Sequence, residues 1–306
     1  LSFYQKLIRF VEQYNIKNIQ TYYTIQTNGT LITPEFARFF KTHQFLVGIS
    51  IDGNQRLHDM YRRDKQLQGS FSSVKKGLQL LQQHNVDFNI LAVITEETTK
   101  HTEEVYRFLS NLGTMFVQFI PCLDSLEHQE TSYTLTNEAY TRFLLKLFDV
   151  WERDFYNGRR ISIRYFDDIL KIILGYYPDT CTLMGHCTTH IVIEADGSTY
   201  PCDFYVLDEH KTGTIIDSSF RDIVQSENAI AFIKDSIAHH PQCIQCQYFK
   251  LCKGGCKRNN IVTDSNSPSK TKYCESYLAF FDQTYDRFIK IAKILQQEMQ
   301  QNSQSQ

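Results

Sequence analysis

The sequence contains no G-x-G-x-x-G turn and no P-loop, so nothing in it supports the nucleotide-binding folds built on those segments. No apolar run approaches the ~20 residues needed to cross a bilayer. The longest candidate, FLLKLFDVW from Phe143 to Trp151, is broken by charge and reads as the buried face of a helix. A formal net charge of −2 gives no electrostatic reason to expect nucleic acid or an anionic membrane surface as a partner. Cysteine is almost missing from the first 180 residues, where Cys122 stands alone. The rest of the composition, 42% hydrophobic and 22% charged over 306 residues, is that of a globular protein of about two domains.

Against that background the last third is unusual. Eight cysteines follow one another as Cys181, Cys187 and Cys202, spaced C-x5-C-x14-C, then Cys243, Cys246, Cys252, Cys256 and Cys274, spaced C-x2-C-x5-C-x3-C-x17-C. Eight thiols suffice for two four-sulfur metal sites, and thiolates favour iron–sulfur clusters and zinc. A chain with a sizeable core needs no disulfide staples, so metal in a reducing, cytoplasmic compartment is expected. Spacing alone leaves open which four thiols belong together and which metal they hold. His239 and His240 precede a cysteine pair, but they read as solvated residues of a polar turn. The Gln/Ser-rich end, QQEMQQNSQSQ, reads as a fraying helix and tail.

The first 175 residues alternate strand and helix. LSFYQKLIRFVEQY reads as a helix, and because the chain opens at Leu1 already inside it, further residues are expected upstream. TYYTIQTNG, FLVGISIDG, DFNILAVIT, MFVQFIP and RISIRYF read as buried strands. PEFARFFKTH (capped by Thr33), SFSSVKKGLQLLQQH, TEEVYRFLSNLG, TNEAYTRFLLKLFDVWERDFYNG and DDILKIILG read as helices. Strands spaced by helices of this length predict βα units around a parallel sheet, and the apolar strands fit one buried on both faces. In a βα barrel the chemistry lies at the C-terminal ends of the strands. There the sequence places Gln26 and Asn28, Ser50 and Asp52, Cys122 to Asp124, and Arg164 to Asp167. Any one Asn-Gly or Asp-Gly is most simply a turn, but several polar groups on one rim predict a binding site. After Gly175, HIVIEADGSTYPCDFYV predicts a β-hairpin turning at Asp196-Gly197 and carrying Cys202 and Asp203 side by side. A final amphipathic helix begins near Cys274.

The cysteine pattern together with YPCDFYVLD, CKGGCKR, YTIQTNGTLI, FLVGISIDG, Arg62-Arg63-Asp64, QFIPCLD and SIRYFD resembles the radical S-adenosylmethionine (AdoMet) enzymes with a SPASM domain, and among them the anaerobic sulfatase-maturating enzymes. The resemblance implies an α/β fold: a partial, TIM-like βα radical AdoMet barrel over 1–175, then a cysteine-rich SPASM domain over 176–300 with the hairpin and the C-terminal helix. It implies two auxiliary [4Fe–4S] clusters, one on Cys181, Cys187, Cys202 and Cys256, the other on Cys243, Cys246, Cys252 and Cys274. The AdoMet-cleaving cluster of the family needs a C-x3-C-x2-C triplet, which this sequence lacks; it is expected upstream of Leu1.

The implied reaction oxidises a Ser or Cys residue of a sulfatase polypeptide to Cα-formylglycine, yielding 5′-deoxyadenosine and methionine. That oxidation removes two electrons and a side-chain proton, and Asp203 matches the family's proposed base. Ser50, Arg62 and the backbone at Leu123 match AdoMet contacts, the arginine by a bidentate hydrogen bond to its carboxylate. Gln26, Asn28, Asp124 and Arg164 are weaker candidates for AdoMet or peptide, and Cys122 for a packed, non-ligating thiol. A flavodoxin or ferredoxin is the expected electron donor. Two other readings remain at this point: a SPASM enzyme making a cross-link or thioether in another peptide, and a non-enzymatic zinc module.

Overall fold

Five short segments of the N-terminal half form β1 (Thr24–Thr27), β2 (Leu46–Ser50), β3 (Asp87–Ile94), β4 (Phe116–Pro121) and β5 (Ser162–Ile163). In the computed structural model, which describes residues 1–125, 131, 133–261 and 268–304, they pair in sequence order and all in parallel. The helices are α1 (Ser2–Tyr14), α2 (Pro34–Thr42), α3 (Gln55–Tyr61), α4 (Phe71–Gln83), α5 (Glu96–Thr99), α6 (Thr102–Leu109), α7 (Asn137–Tyr156) and α8 (Arg164–Ile173). Each parallel pair is joined through helix, as parallel strands require. The result is the expected partial βα barrel. By internal contacts the chain forms two units: Leu1–Leu135 with Lys146–Arg164, and Thr136–Leu145 with Tyr165–Gln306.

Local chemistry explains the element ends. Pro34 opens α2, and the Thr33 hydroxyl accepts from the Phe36 N–H at 3.4 Å. α4 buries Phe71, Val74, Gly77, Leu78 and Leu81, one face at helical spacing. Gly77 lets this helix meet the turn after β1, since a Cβ there would lie 2.1 Å from the Gly29 carbonyl oxygen.

The two faces of the sheet differ, which the apolar strand sequences did not predict. Val47, Ile49, Ile90, Ala92, Ile94, Val117 and Ile163 are each no more than 3% exposed. On the other face Gln26, Gly48 and Asn89 stand in register, and Ser50, Leu91 and Gln118 form the next row. Ser50 lies between Gly48 and Asp52 in the two-residue rhythm of a strand, so these polar groups share the barrel interior.

Two strand ends were misread. RISIRYF keeps only Ser162 and Ile163 in the sheet, because Phe166, Ile169 and Leu170 repeat at helical spacing and are buried in α8. Asp168 fixes that helix to the following segment, accepting from Asp179 N–H at 2.7 Å and from the Thr180 hydroxyl at 2.6 Å. α3 was missed, although Asn54 caps it by accepting from Leu57 N–H at 3.1 Å.

In the second unit β6 (Val192–Ile193), β7 (Ser198–Tyr200) and β8 (Gly213–Thr214) form an antiparallel sheet. The predicted turn is present, with Gly197 at φ +84° and Asp196 accepting from Ser198 N–H at 2.9 Å. The predicted second strand stops at Tyr200. Pro201 has no N–H for the ladder, and Asp203–Tyr205 folds into a 3₁₀ turn. The last helix, Cys274–Gln304, buries Tyr277, Phe280, Phe281, Phe288 and Ile291. Among the described residues no helix is long and apolar enough to cross a membrane.

The Gly77 contact is testable. Gly77→Ala is expected to destabilise the protein by about 1–3 kcal/mol, the usual cost of overpacking, in urea unfolding. An unchanged midpoint would show that α4 is not seated on the Gly29 turn.

Candidate active site and metal centres

Ser50 ends β2, and two residues on, Asp52 is 5% exposed. Its carboxylate accepts from Arg62 Nε at 2.5 Å and Nη2 at 3.0 Å, and from the Val93 N–H at 2.8 Å. Arg62, half-buried at the C-terminal cap of α3, is thereby drawn to the sheet edge beyond Ser50. The Nε/Nη2 fork is already turned onto Asp52, leaving the end-on edge, Nη1 with the second Nη2 proton, for another anion.

The other rim residues separate by environment. Asn28 accepts from Thr30 N–H and hydroxyl at 3.2 and 3.0 Å, which makes it a turn residue, and Gln26 is exposed. Cys122 follows β4, its N–H donating to Ile94 O at 2.8 Å. Leu123, Asp124 and Arg164 are half-buried, Arg164 as the first residue of α8. Asn89 was overlooked: its Oδ1 is buried and has no hydrogen-bond partner among the described residues. Beside it Gly48 is closely packed, since a Cβ there would lie 2.9 Å from Leu91 Cδ1 and 3.1 Å from that oxygen. The one available signal was an Asn inside the apolar strand DFNILAVIT. A lone buried acceptor, with the outer edge of an arginine held on the carboxylate two residues beyond Ser50, suits AdoMet, which carries hydroxyl, ammonium and carboxylate groups.

All nine cysteines are free thiols. Burial pushes the Cys202 thiol up to about 12 and the Cys256 thiol to about 11, and it raises Cys181 and Cys187 as well. After burial, ionisation of Cys256 is opposed by Cys181 and Cys187, and that of Cys202 by Asp203 and Cys256. In the other set, burial pushes Cys252 up to about 12, with Cys243, Cys274 and Cys246 opposing its ionisation further. The sulfur neighbours thus fall into two groups, Cys181, Cys187, Cys202 and Cys256 in one and Cys243, Cys246, Cys252 and Cys274 in the other. Cys243, Cys246, Cys252 and Cys274 line one cleft walled by Tyr277 and Phe281, while Cys181, Cys187 and Cys256 line an adjoining one, which Cys243 also borders. Lys270 favours the thiolates of Cys243 and Cys274, Lys257 that of Cys187 and Arg258 that of Cys256.

The loop that carries Cys252 and Cys256 turns through three consecutive left-handed residues, Lys253, Gly254 and Gly255, at φ +48°, +87° and +74°. A Cβ at Gly254 would stand 3.3 Å from the His239 ring, so the loop turns tightly there. His239 packs edge-on against Phe249, and His240, 9% exposed, caps the next helix by accepting from Gln242 N–H at 3.2 Å. Neither is the solvated turn residue that its sequence context predicted. Cys202 Sγ lies 3.5 Å from Asp203 Oδ1, and Asp203 itself is exposed. Among the described residues no three His, Cys, Asp or Glu side chains converge on one metal ion. Donor chemistry fits a [4Fe–4S] group in each set: four thiols, basic side chains to offset its negative charge, and no further ligand needed.

The grouping has a direct check. Anaerobic reconstitution is expected to load about eight irons, the content of two [4Fe–4S] clusters. Cys274→Ala and Cys202→Ala should each leave about four, with different surviving spectra. Equal loss of both signatures in Cys274→Ala would overturn the partition.

Residues 181–247 match the SPASM iron–sulfur cluster-binding domain. A cysteine-type anaerobic sulfatase-maturating enzyme of Clostridium novyi is 43% identical over 96% of this chain and 79% of its own length. A serine-type counterpart from Bacteroides thetaiotaomicron is 31% identical over 92% of this chain and 72% of that protein. The solved structure of native anSMEcpe with bound AdoMet and the Kp18Cys peptide superposes with a TM-score of 0.92 at 40% identity, covering 95% of this chain and 81% of that one. Fold and sequence agree over nearly the whole length, and the chain belongs to the anaerobic sulfatase-maturating enzymes.

Proposed function

We propose that this enzyme converts a cysteine residue of a sulfatase polypeptide to Cα-formylglycine, with Asp203 taking the thiol proton. The observation that carries this reading is the exposed Asp203 carboxylate beside Cys202, a ligand of the first four-thiol set. The cysteine preference is supported by identity: 43% and 41% to cysteine-type relatives against 31% and 29% to serine-type ones. These relatives set aside cross-link formation, and the iron–sulfur description of the matched domain sets aside the zinc module.

The oxidation removes one hydrogen atom from Cβ, one further electron and the thiol proton; water then replaces sulfur at the resulting thioaldehyde, releasing hydrogen sulfide and leaving the aldehyde. When bound, AdoMet and the iron–sulfur groups supply the hydrogen-abstracting radical and an acceptor for the remaining electron. Everything else falls to this chain. Ser50, the open edge of Arg62 and the backbone at Leu123 hold AdoMet at the sheet edge of the barrel, residues 1–175. Cys181, Cys187, Cys202 and Cys256, with Cys243, Cys246, Cys252 and Cys274, hold the two clusters of the SPASM domain, residues 176–300. Asp203 stands in a 3₁₀ turn with its second carboxylate oxygen available to the substrate thiol, as a general base must. A one-electron carrier such as flavodoxin or ferredoxin supplies reducing electrons in the cytoplasm.

Asp203→Asn keeps the shape but cannot take the proton. Measured in an enzyme that also carries the AdoMet-cleaving C-x3-C-x2-C triplet, it is expected to retain iron and AdoMet cleavage while aldehyde yield falls by roughly 10²–10⁴-fold. Near-normal aldehyde formation would exclude Asp203 and move the role to Asp124. On one sulfatase-derived peptide carrying Cys or Ser at the target position, the Cys form should be oxidised faster. Equal or reversed rates would overturn the cysteine preference.

A further inference from the structure

We propose that Asp52, His58 and Ser70 form a positioning relay that sets Arg62 for the AdoMet carboxylate, an inference that rests on reading Arg62 as an AdoMet ligand. The Asp52 N–H donates to His58 Nδ1 at 3.4 Å, which leaves the ring proton on Nε2. Nε2–H then donates to Ser70 Oγ at 3.0 Å, and the Ser70 hydroxyl donates to the Arg62 carbonyl, also at 3.0 Å. The Ser70 N–H adds a second bond to that carbonyl at 3.1 Å. At its other end the Arg62 guanidinium is forked onto the Asp52 carboxylate. The chain of bonds closes on itself through both ends of one arginine.

His58 is fully buried, with Phe71 packed edge-on at 5.7 Å. Burial lowers its pKa, which holds the ring in the neutral form the relay needs. A buried histidine bonded at both nitrogens is ordinarily plain structure. Here its bonds end on a residue that also presents an open edge to the site. Arginine is long and rotamer-rich, so fixing both its backbone and its fork beforehand reduces what AdoMet must order on binding.

The test is the AdoMet dissociation constant of the reconstituted enzyme by equilibrium dialysis, with melting temperatures measured on the same preparations. Arg62→Ala should weaken binding. Ser70→Ala should weaken it by roughly 3–10-fold, the worth of one hydrogen bond, and Ser70→Thr, which keeps the hydroxyl, should restore it. In the Arg62→Ala background Ser70→Ala should have no further effect, because the relay acts only through the arginine. An additional loss there, or wild-type affinity in Ser70→Ala alone, would overturn the relay. Wild-type affinity in Arg62→Ala would instead remove Arg62 as a ligand, and the relay with it. His58→Gln in the same cycle covers the case in which Ser70→Ala does not fold.

Discussion

Convergence of thiols that desolvation holds protonated is the constraint on which the second unit depends. Among the described residues between Cys181 and Cys274 the strands are two or three residues long, and two of the four α-helices are single turns of four. Among the described residues there, the buried apolar side chains are Leu183, Tyr200, Ile223, Ala229, Phe232, Leu251 and Tyr273. Elements so short cannot bury enough surface to fix their own geometry. What organises them is convergence of the thiols, and burial pushes those thiols away from the thiolate form a metal requires. A metal group reverses that preference, so its binding free energy is also folding free energy. Lys257, Arg258 and Lys270 work in the same direction before any metal arrives.

The same constraint explains why Asp203 can be a base at a fixed distance from a ligand. Pro201 ends β7, Cys202 takes an extended conformation, and the 3₁₀ turn that follows turns the next side chain back toward Cys202 Sγ. Covalent adjacency sets the spacing of proton acceptor and ligand. Loop motion elsewhere leaves that spacing unchanged. An exposed carboxylate has room for an incoming thiol, whereas a buried one would need a compensating donor.

Much of this was legible in the sequence because it rests on local rules. The helical crossovers, the Thr33-Pro34 start and the Asp196-Gly197 turn are written in neighbouring residues. Grouping the eight thiols needed the family resemblance, since Cys256 joins partners more than fifty residues upstream and spacing carries no such information. The strand after Ile163 was misread because RISIRYF alternates well enough for a strand, while the helical spacing of Phe166, Ile169 and Leu170 decides the matter through burial. Asn89 and Gln118 were missed for the opposite reason. A mostly apolar strand does not announce which of its faces lines a cavity. His58 and Ser70 were invisible because their bonds join α3 to the start of α4, twelve residues apart, through a tautomer no pattern encodes.

The pairing of Arg62 with Asp52 also has an electrostatic logic. AdoMet carries a carboxylate, an ammonium and a sulfonium, so a bare guanidinium near the site would attract one group and repel two. Asp52 neutralises the arginine without occupying its outer edge, keeping two directed hydrogen bonds for the carboxylate while removing the net positive field. A partly buried pair of this kind adds little to stability, because desolvation offsets much of the Coulomb attraction. Its contribution is orientation: the fork geometry fixes the guanidinium plane, and under the role proposed for Arg62 that plane would set where the AdoMet carboxylate comes to rest.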